Sequence, residues 1–337
     1  MTSTVPEDAA VRSGRRALIC GVSGQDGAYL AQHLIAQGYT VIGTSRDASV
    51  VRRDGLAALG IDQHVAIVSM AGSDFRSVLQ TVMHTEPDEI YNLAGQTSVG
   101  LSFDQPVEAI ESISIGTLNL LEAIRFCGRP IRLYNAGSSE CFGDTGMVPA
   151  SENTPFRPRS PYAVAKACAH NLVANYREAY GLFACTGILF NHESPLRPDR
   201  FVTQKIVRGA ARIAAGDTTP LKLGNLDIHR DWGWAPDYVE AMWQMLRQDV
   251  AQDYVIATGR TVSLQYFVEK VFAHFGLDWH GHVEHDRNLL RPSDIHYGAA
   301  DVSLAERELA WKARHDVDAV IAKMCAAVQA QHAPGSR

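Results

Sequence analysis

An excess of positive charge is missing from this chain. Its 31 Lys and Arg stand against 37 Asp and Glu, a formal net charge of −6, so no basic field exists to neutralise a nucleic-acid backbone. A small anionic ligand stays open, because local arginines and helix N-termini can meet a phosphate even in an acidic protein. Cys-x-x-Cys is missing too: Cys20, Cys127, Cys141, Cys168, Cys185 and Cys325 are scattered through apolar or helical contexts. That argues against a zinc site or other metal centre and for the reduced thiols of a cytoplasmic protein. No apolar stretch approaches the ~18 residues a membrane span needs. The opening MTSTVPEDAAVRSGRR has no apolar centre of the signal-peptide kind. We expect a flexible lead-in over residues 1–14 and a soluble chain beyond it. What is present is apolar material, 46% of 337 residues with 20% charged, enough for a large core or two fused units and too much for disorder.

The first chemistry-bearing stretch is ALIC (17–20) followed by GVSGQDG (21–27) and AYLAQHLIAQG (28–38). Leu30, Leu34 and Ile35 recur at helical spacing and Gly38 stands where a helix would stop. YTVIGTSR (39–46) then reads as a strand, completing strand, glycine turn, helix, strand. Gly21, Gly24 and Gly27 suit a tight turn, a backbone approach to a pyrophosphate and close packing of helix on strand. At the end of the second strand stands Arg46, a partner for the 2′-phosphate of NADP. Asp47 beside it leaves NAD possible, and a merely solvated Arg46 is the plain alternative. DEIYNLAG (88–95), the helical TLNLLEAIRFCG (117–128) and IRLYNAGSS (131–139) continue the alternation. The expectation is an α/β protein with a doubly wound parallel sheet of the Rossmann type. Gly95, Gln96 and the run Ser138-Ser139-Glu140 then fall at strand ends, where such sheets bind ligands.

Tyr162 and Lys166 lie four residues apart in SPYAVAK, hence on one face of a helix entered by Ser-Pro. The ammonium is expected to lower the phenol pKa and make a base available near neutrality. A hydroxyl of Ser138 or Ser139 can stabilise charge developing on a substrate oxygen, and Glu140 can act as base and then acid. Each residue has a bland counterpart: Glu140 as a surface glutamate, Arg230 and Arg291 as ion-pair partners. Tyr238, Met242 and Trp243 in the stretch 230–246 sit at packing intervals and read as core.

The glycine turn, NLAG (92–95), the polar strand end and Tyr-x-x-x-Lys occur in the order of the extended short-chain dehydrogenases, and the chain resembles the GDP-mannose 4,6-dehydratase family in particular. The segments that carry this are GVSGQDGAYLA, FRPRSPYAVAKA, NYREAYGLFACTGILFNHESPLR, FVTQKI, LGNLD-x-x-RDWG and VIATG, with weaker echoes in LLRPSD (289–294) and LAWK (309–312). NHESP (191–195) is the most specific of them.

The resemblance implies a lyase with internal redox chemistry on a GDP-linked mannose or manno-heptose. Tyr162 would take the 4-hydroxyl proton as hydride leaves C4 for NADP. Glu140 would take the C5 proton, water would leave from C6, and the hydride would return there. It implies a catalytic set of Ser138, Ser139, Glu140, Tyr162 and Lys166. The cofactor set would be Gly21, Gly24, Gln25, Asp26, Gly27, Arg46, Leu93, Ala94, Gly95, Tyr162, Lys166 and His192. The GDP part would meet Asn191, Val202, Lys205, Leu223, Asn225, Arg230 and Arg291. Residues 15–190 with 228–258 would form the NADP-binding domain, and 191–227 with 259–330 a smaller nucleotide-sugar domain. A homodimer or homotetramer would follow.

The chain departs from the family pattern in three places. Gly137-Ser138-Ser139-Glu140 replaces Ser-Thr-Ser-Glu, Met70-Ala71 replaces Gly-Asp, and Asp-Ala-Ser follows Arg46. A reductase or epimerase of nucleotide sugars would use the same Tyr and Lys without Glu140. A dinucleotide-sensing regulator would be expected to have lost one of them.

Overall fold

The computed structural model describes residues 14–332; the expected lead-in therefore lies outside the described residues, Gly14 apart. The apolar run at 17–20 forms β1 (Arg16–Cys20), buried on both faces. Alternate residues of a strand point to opposite sides. Ala17 and Ile19 join one core, with Leu30, Leu34, Tyr91, Tyr134 and Met242, while Leu18 and Cys20 join another, with Val78, Leu120, Ile124 and Val173. Helices Gln25–Ala36 and Ala235–Met245 cover the first face, and Phe75–Thr85, Gly116–Cys127 and Pro161–Tyr180 the second. A sheet covered twice is what parallel strands require, since their crossovers place helices on both sides.

The other strands of the main sheet are β2 (Thr40–Ser45), β3 (Ala66–Ser69), β4 (Glu89–Asn92), β5 (Arg132–Ala136) and β6 (Ala184–Leu189). After β7 (Asn191–Glu193), β8 (Leu221–Leu223) and β9 (His229–Trp234) comes β10 (Tyr254–Ile256), which completes it. Its seven strands run β10-β6-β5-β4-β1-β2-β3, all parallel. The chain winds outward from β1 to β3, then returns to β4 on the other side. This reversal opens a crevice at the C-terminal ends of β1 and β4.

A second unit stands over that edge. β7, β9 and β11 (Thr261–Ser263) form a three-stranded sheet, and β8 pairs with β12 (Val283–His285). Helices Val202–Ala214, Leu264–His274 and Val317–His332 pack there around Ile206, Trp232, Phe267, Phe272, Val320 and Met324. The boundaries differ from the expected ones at two points. β9, expected in the dinucleotide domain, pairs with β7 and β11 and puts Trp232 and Trp234 in the second core. Ala305, Leu309 and Trp311, expected in the substrate unit, return to the first core, where the Trp311 indole donates to the Asp237 carbonyl at 3.0 Å. Tyr238 and Met242 are fully buried, as their spacing foretold. Among the described residues no helix is long and apolar enough to cross a membrane.

Candidate active site

The glycine turn closes at the mouth of the crevice. Gly21 sits at φ +86°, and a Cβ there would stand 3.0 Å from the Leu93 carbonyl oxygen and 3.1 Å from the Ala94 nitrogen. The turn after β1 and the segment after β4 thus touch through backbone alone, bringing Gly21, Leu93, Ala94 and Gly95 together. Gly27 is required by contact: its Cβ would lie 2.3 Å from the Gly21 oxygen, so helix Gln25–Ala36 starts hard against the turn. Gly24 precedes that helix, whose first N–H groups face the crevice mouth as an anion site. This cradle fits the diphosphate of a dinucleotide, because side chains are excluded where a ligand must meet backbone.

Gln25, Asp26 and His192 form a lock behind the cradle. The His192 Nε2 stands 2.9 Å from Asp26 Oδ2, its Nδ1 lies 2.8 Å from the Phe190 carbonyl, and the ring stacks on Tyr238. The Gln25 amide donates to Asp26 and to the His192 carbonyl and accepts from Ser194. Burial pushes the Asp26 carboxyl up, but His192, Gln25 and Arg197 together outweigh it and hold it at about 2. Burial also opposes charge on His192, and Asp26 overrides it, raising the imidazole pKa. Glu193 continues the lock, paired with Arg197 at 3.2 Å and accepting from Thr203 at 2.7 Å. Both ring nitrogens of His192 are engaged, so this residue holds the cradle in place.

Tyr162 and Lys166 project from helix Pro161–Tyr180, capped by the Ser160 hydroxyl on the Ala163 N–H with Pro161 in the first turn. The ammonium lies 5.9 Å from the centre of the Tyr162 ring and donates to the Ala136 carbonyl, at the end of β5, at 2.7 Å. Burial lowers the Lys166 pKa to about 8. Burial also raises Tyr162 above an ordinary phenol; the opposing pulls come from a Ser138 hydrogen bond and from Arg197. The expected direction is therefore reversed, since desolvation of the phenolate exceeds the help nearby charges give.

Ser138 is buried and caps the short turn Ser139–Phe142 by accepting from the Glu140 N–H. The loss of a side chain at position 137 has a steric cause: a Cβ on Gly137 would stand 2.7 Å from Thr186 Cγ2 and 2.9 Å from the Gly187 oxygen. Glu140 is half-buried, and its charge is felt at both Tyr162 and Arg230.

Arg230, buried on β9, donates to Asp294 at 3.4 Å, and Arg291 reaches the same carboxylate at 3.5 Å. The two arginines that LLRPSD and RDWG suggested are thus neighbours. Asp294, three residues beyond Arg291, escaped the sequence reading although it lies inside a quoted segment. Val202 opens helix Val202–Ala214 and Lys205 follows one turn on, its ammonium on the Lys222 carbonyl. Asn191 lies on β7, and Asn225 accepts from the Asp227 N–H in the turn after β8. Leu223 is 1% exposed in the second core, so its side chain serves packing. Arg46 lies apart from these groups, at the end of β2 with its side chain 88% exposed.

Residues 18–324 match the family described as GDP-mannose 4,6 dehydratase. The chain belongs to that family. GDP-mannose 4,6 dehydratase 1 of Arabidopsis thaliana is 44% identical over 324 residues, covering 93% of this chain and 90% of the relative. GDP-mannose 4,6-dehydratase of Sinorhizobium fredii (strain HH103) is 43% identical over 320 residues, covering 88% and 91%. Among solved structures, the dTDP-glucose 4,6-dehydratase DesIV from Streptomyces venezuelae, with NAD and TYD bound, superposes with a TM-score of 0.83. It shares 21% identity over 94% of this chain and 98% of that one. At that identity the likeness shows a shared fold. The 4,6-dehydratase family thus confirms the resemblance read from NHESP, while the lock around Glu193, Ser194 and Arg197 comes from the structure.

Proposed function

We propose that this chain is a hydro-lyase that converts GDP-mannose, or a close relative such as a GDP-linked manno-heptose, to the GDP-4-keto-6-deoxy sugar. The observation that carries this is a second acid–base group, Glu140, beside the Tyr162–Lys166 pair and electrostatically joined to Arg230. A 4-reductase or 4-epimerase working through the Tyr–Lys pair alone needs no such second base. The names of the 44% and 43% identical relatives support the same substrate class.

A nicotinamide dinucleotide, NADP by the reading of Arg46, would lie on Gly21–Gly27, Leu93–Gly95 and Lys166 and, when bound, supply a reversible two-electron acceptor for C4 that returns the electrons at C6. Tyr162 takes the proton of the 4-hydroxyl, and Ser138 or Ser139 steadies the oxygen as it becomes a carbonyl. That carbonyl acidifies the neighbouring C5–H. Glu140 removes this proton and passes it to the 6-hydroxyl, which departs as water. The C5 position is finally reprotonated, so atoms and charge balance with one water lost. Arg230 and Arg291 bind the diphosphate as fork-shaped donors, which fixes the sugar against Glu140.

Two variants separate the steps. Glu140→Gln keeps shape but cannot act as a base near neutral pH, so it should form 4-keto sugar without 6-deoxy product. Tyr162→Phe should form neither, and both should lose exchange of the C5 hydrogen with solvent. Near-native yield of 6-deoxy product from Glu140→Gln, followed by mass spectrometry, would remove Glu140 from the mechanism.

A further inference from the structure

Arg46 follows β2, and Glu108 lies in the short helix Pro106–Ala109 beyond β4. In the sheet β1 stands between those strands. Even so the Arg46 guanidinium and the Glu108 carboxylate approach to 3.8 Å. The pair therefore joins the segments that follow β2 and β4, the two neighbours of β1. We infer that Glu108 competes for Arg46 with the 2′-phosphate of a dinucleotide and so sets how strongly the site prefers the phosphorylated cofactor.

Glu108 is held in place from below. The Ser112 hydroxyl donates to the Glu108 carbonyl at 2.6 Å and accepts from the Gln96 N–H at 3.1 Å. One serine thus anchors both the helix of Glu108 and the Leu93–Gln96 wall of the crevice. Ser112 sits in a π-helical turn, Ile110–Ile115, a form that recurs at functional sites. The other acid at this edge is occupied, because Asp47 accepts from both the Ser49 N–H and the Ser49 hydroxyl. Glu108 is the carboxylate that meets Arg46.

With side chains 88% and 48% exposed, the ion pair is screened and readily exchanged. A phosphate on the ribose would draw Arg46 by charge-assisted contacts and leave Glu108 as a like-charged neighbour. A ribose hydroxyl meets no such penalty and can donate to the carboxylate. The inference rests on the proposed role of Arg46, and the experiment tests the two separately.

Protein freed of bound nucleotide is titrated calorimetrically with NADP⁺ and with NAD⁺, for the wild type, Glu108→Gln, Glu108→Lys and Arg46→Ala, with melting temperatures as a folding control. Removing one like charge near a solvated phosphate should tighten NADP⁺ about 2- to 10-fold in Glu108→Gln, and more in Glu108→Lys, with NAD⁺ unchanged or weaker. Nucleotide co-purifying with these variants should shift toward NADP by mass spectrometry. Arg46→Ala should weaken NADP⁺ alone. If Arg46→Ala does so while both Glu108 variants leave NADP⁺ where it was, or tighten both nucleotides equally, Glu108 has no such role and Arg46 keeps its own. If Arg46→Ala changes neither affinity, both readings fall.

Discussion

Lys166 and Tyr162 show how far residue chemistry can be read from spacing. Four positions apart they share a helix face, and the structure keeps them together. Their spacing could not reveal that Lys166 donates to the Ala136 carbonyl or that burial holds the Tyr162 proton tightly. Desolvation depends on what covers a group. The Asp26–His192 pair gives a test at the same scale. His192 is raised above its ordinary value of 6.5, so its contribution is complete below that pH and is lost as pH climbs through the folded value. Asp26, held at about 2 against 3.8, contributes above its ordinary value and loses that only as pH falls through about 2. The stability gap between wild type and His192→Gln should therefore shrink as pH rises above the ordinary histidine value of 6.5 and through the raised folded value. Thermal denaturation across that range measures it, and a gap that widens with pH would contradict the ion pair.

At the scale of elements, periodic segments with clear stops were legible. The helix expected to end before Gly38 runs Gln25–Ala36, and the one expected over 117–128 runs Gly116–Cys127 with Gly128 left-handed beyond it. The π turn before it was not legible, since IESISI carries no local mark of a wider ring. Pairing of β9 with β7 and β11 escaped for a related reason: short strands find partners through tertiary contact, which propensity does not encode. The glycine turn makes a prediction of its own. A methyl at Gly27 would meet the backbone at 2.3 Å, whereas one at Gly24 would meet only the Gly21 oxygen at 3.3 Å. Gly27→Ala should lose about 1–3 kcal/mol or more in urea unfolding. Gly24→Ala should keep most of its stability and lose dinucleotide affinity. Equal stability losses would mean that the turn is not packed as described.

Over the whole molecule, two cores meet along one sheet edge, and the site uses that junction. The cradle, Tyr162, Lys166 and Glu140 belong to the main sheet, while Arg230 and Arg291 come from the second unit and meet at Asp294. Sequence order hid this, because the chain crosses between the units several times and Arg291 follows Arg230 only after three strands and two α-helices. Under the proposed function, the substrate diphosphate and its sugar would be held by different units, with the reacting carbons between them. Its central consequence is that oxidation at C4 is undone at C6 within one active site. The direct measurement is to incubate purified protein, with no added nucleotide cofactor, with GDP-mannose in deuterated water, running a GDP-linked manno-heptose in parallel. Many turnovers should each give a nucleotide sugar lighter by one water and carrying deuterium at C5, with the nicotinamide absorbance the same at the end as at the start. Product that retains all its oxygen, or that forms only in proportion to nicotinamide consumed, would contradict the account.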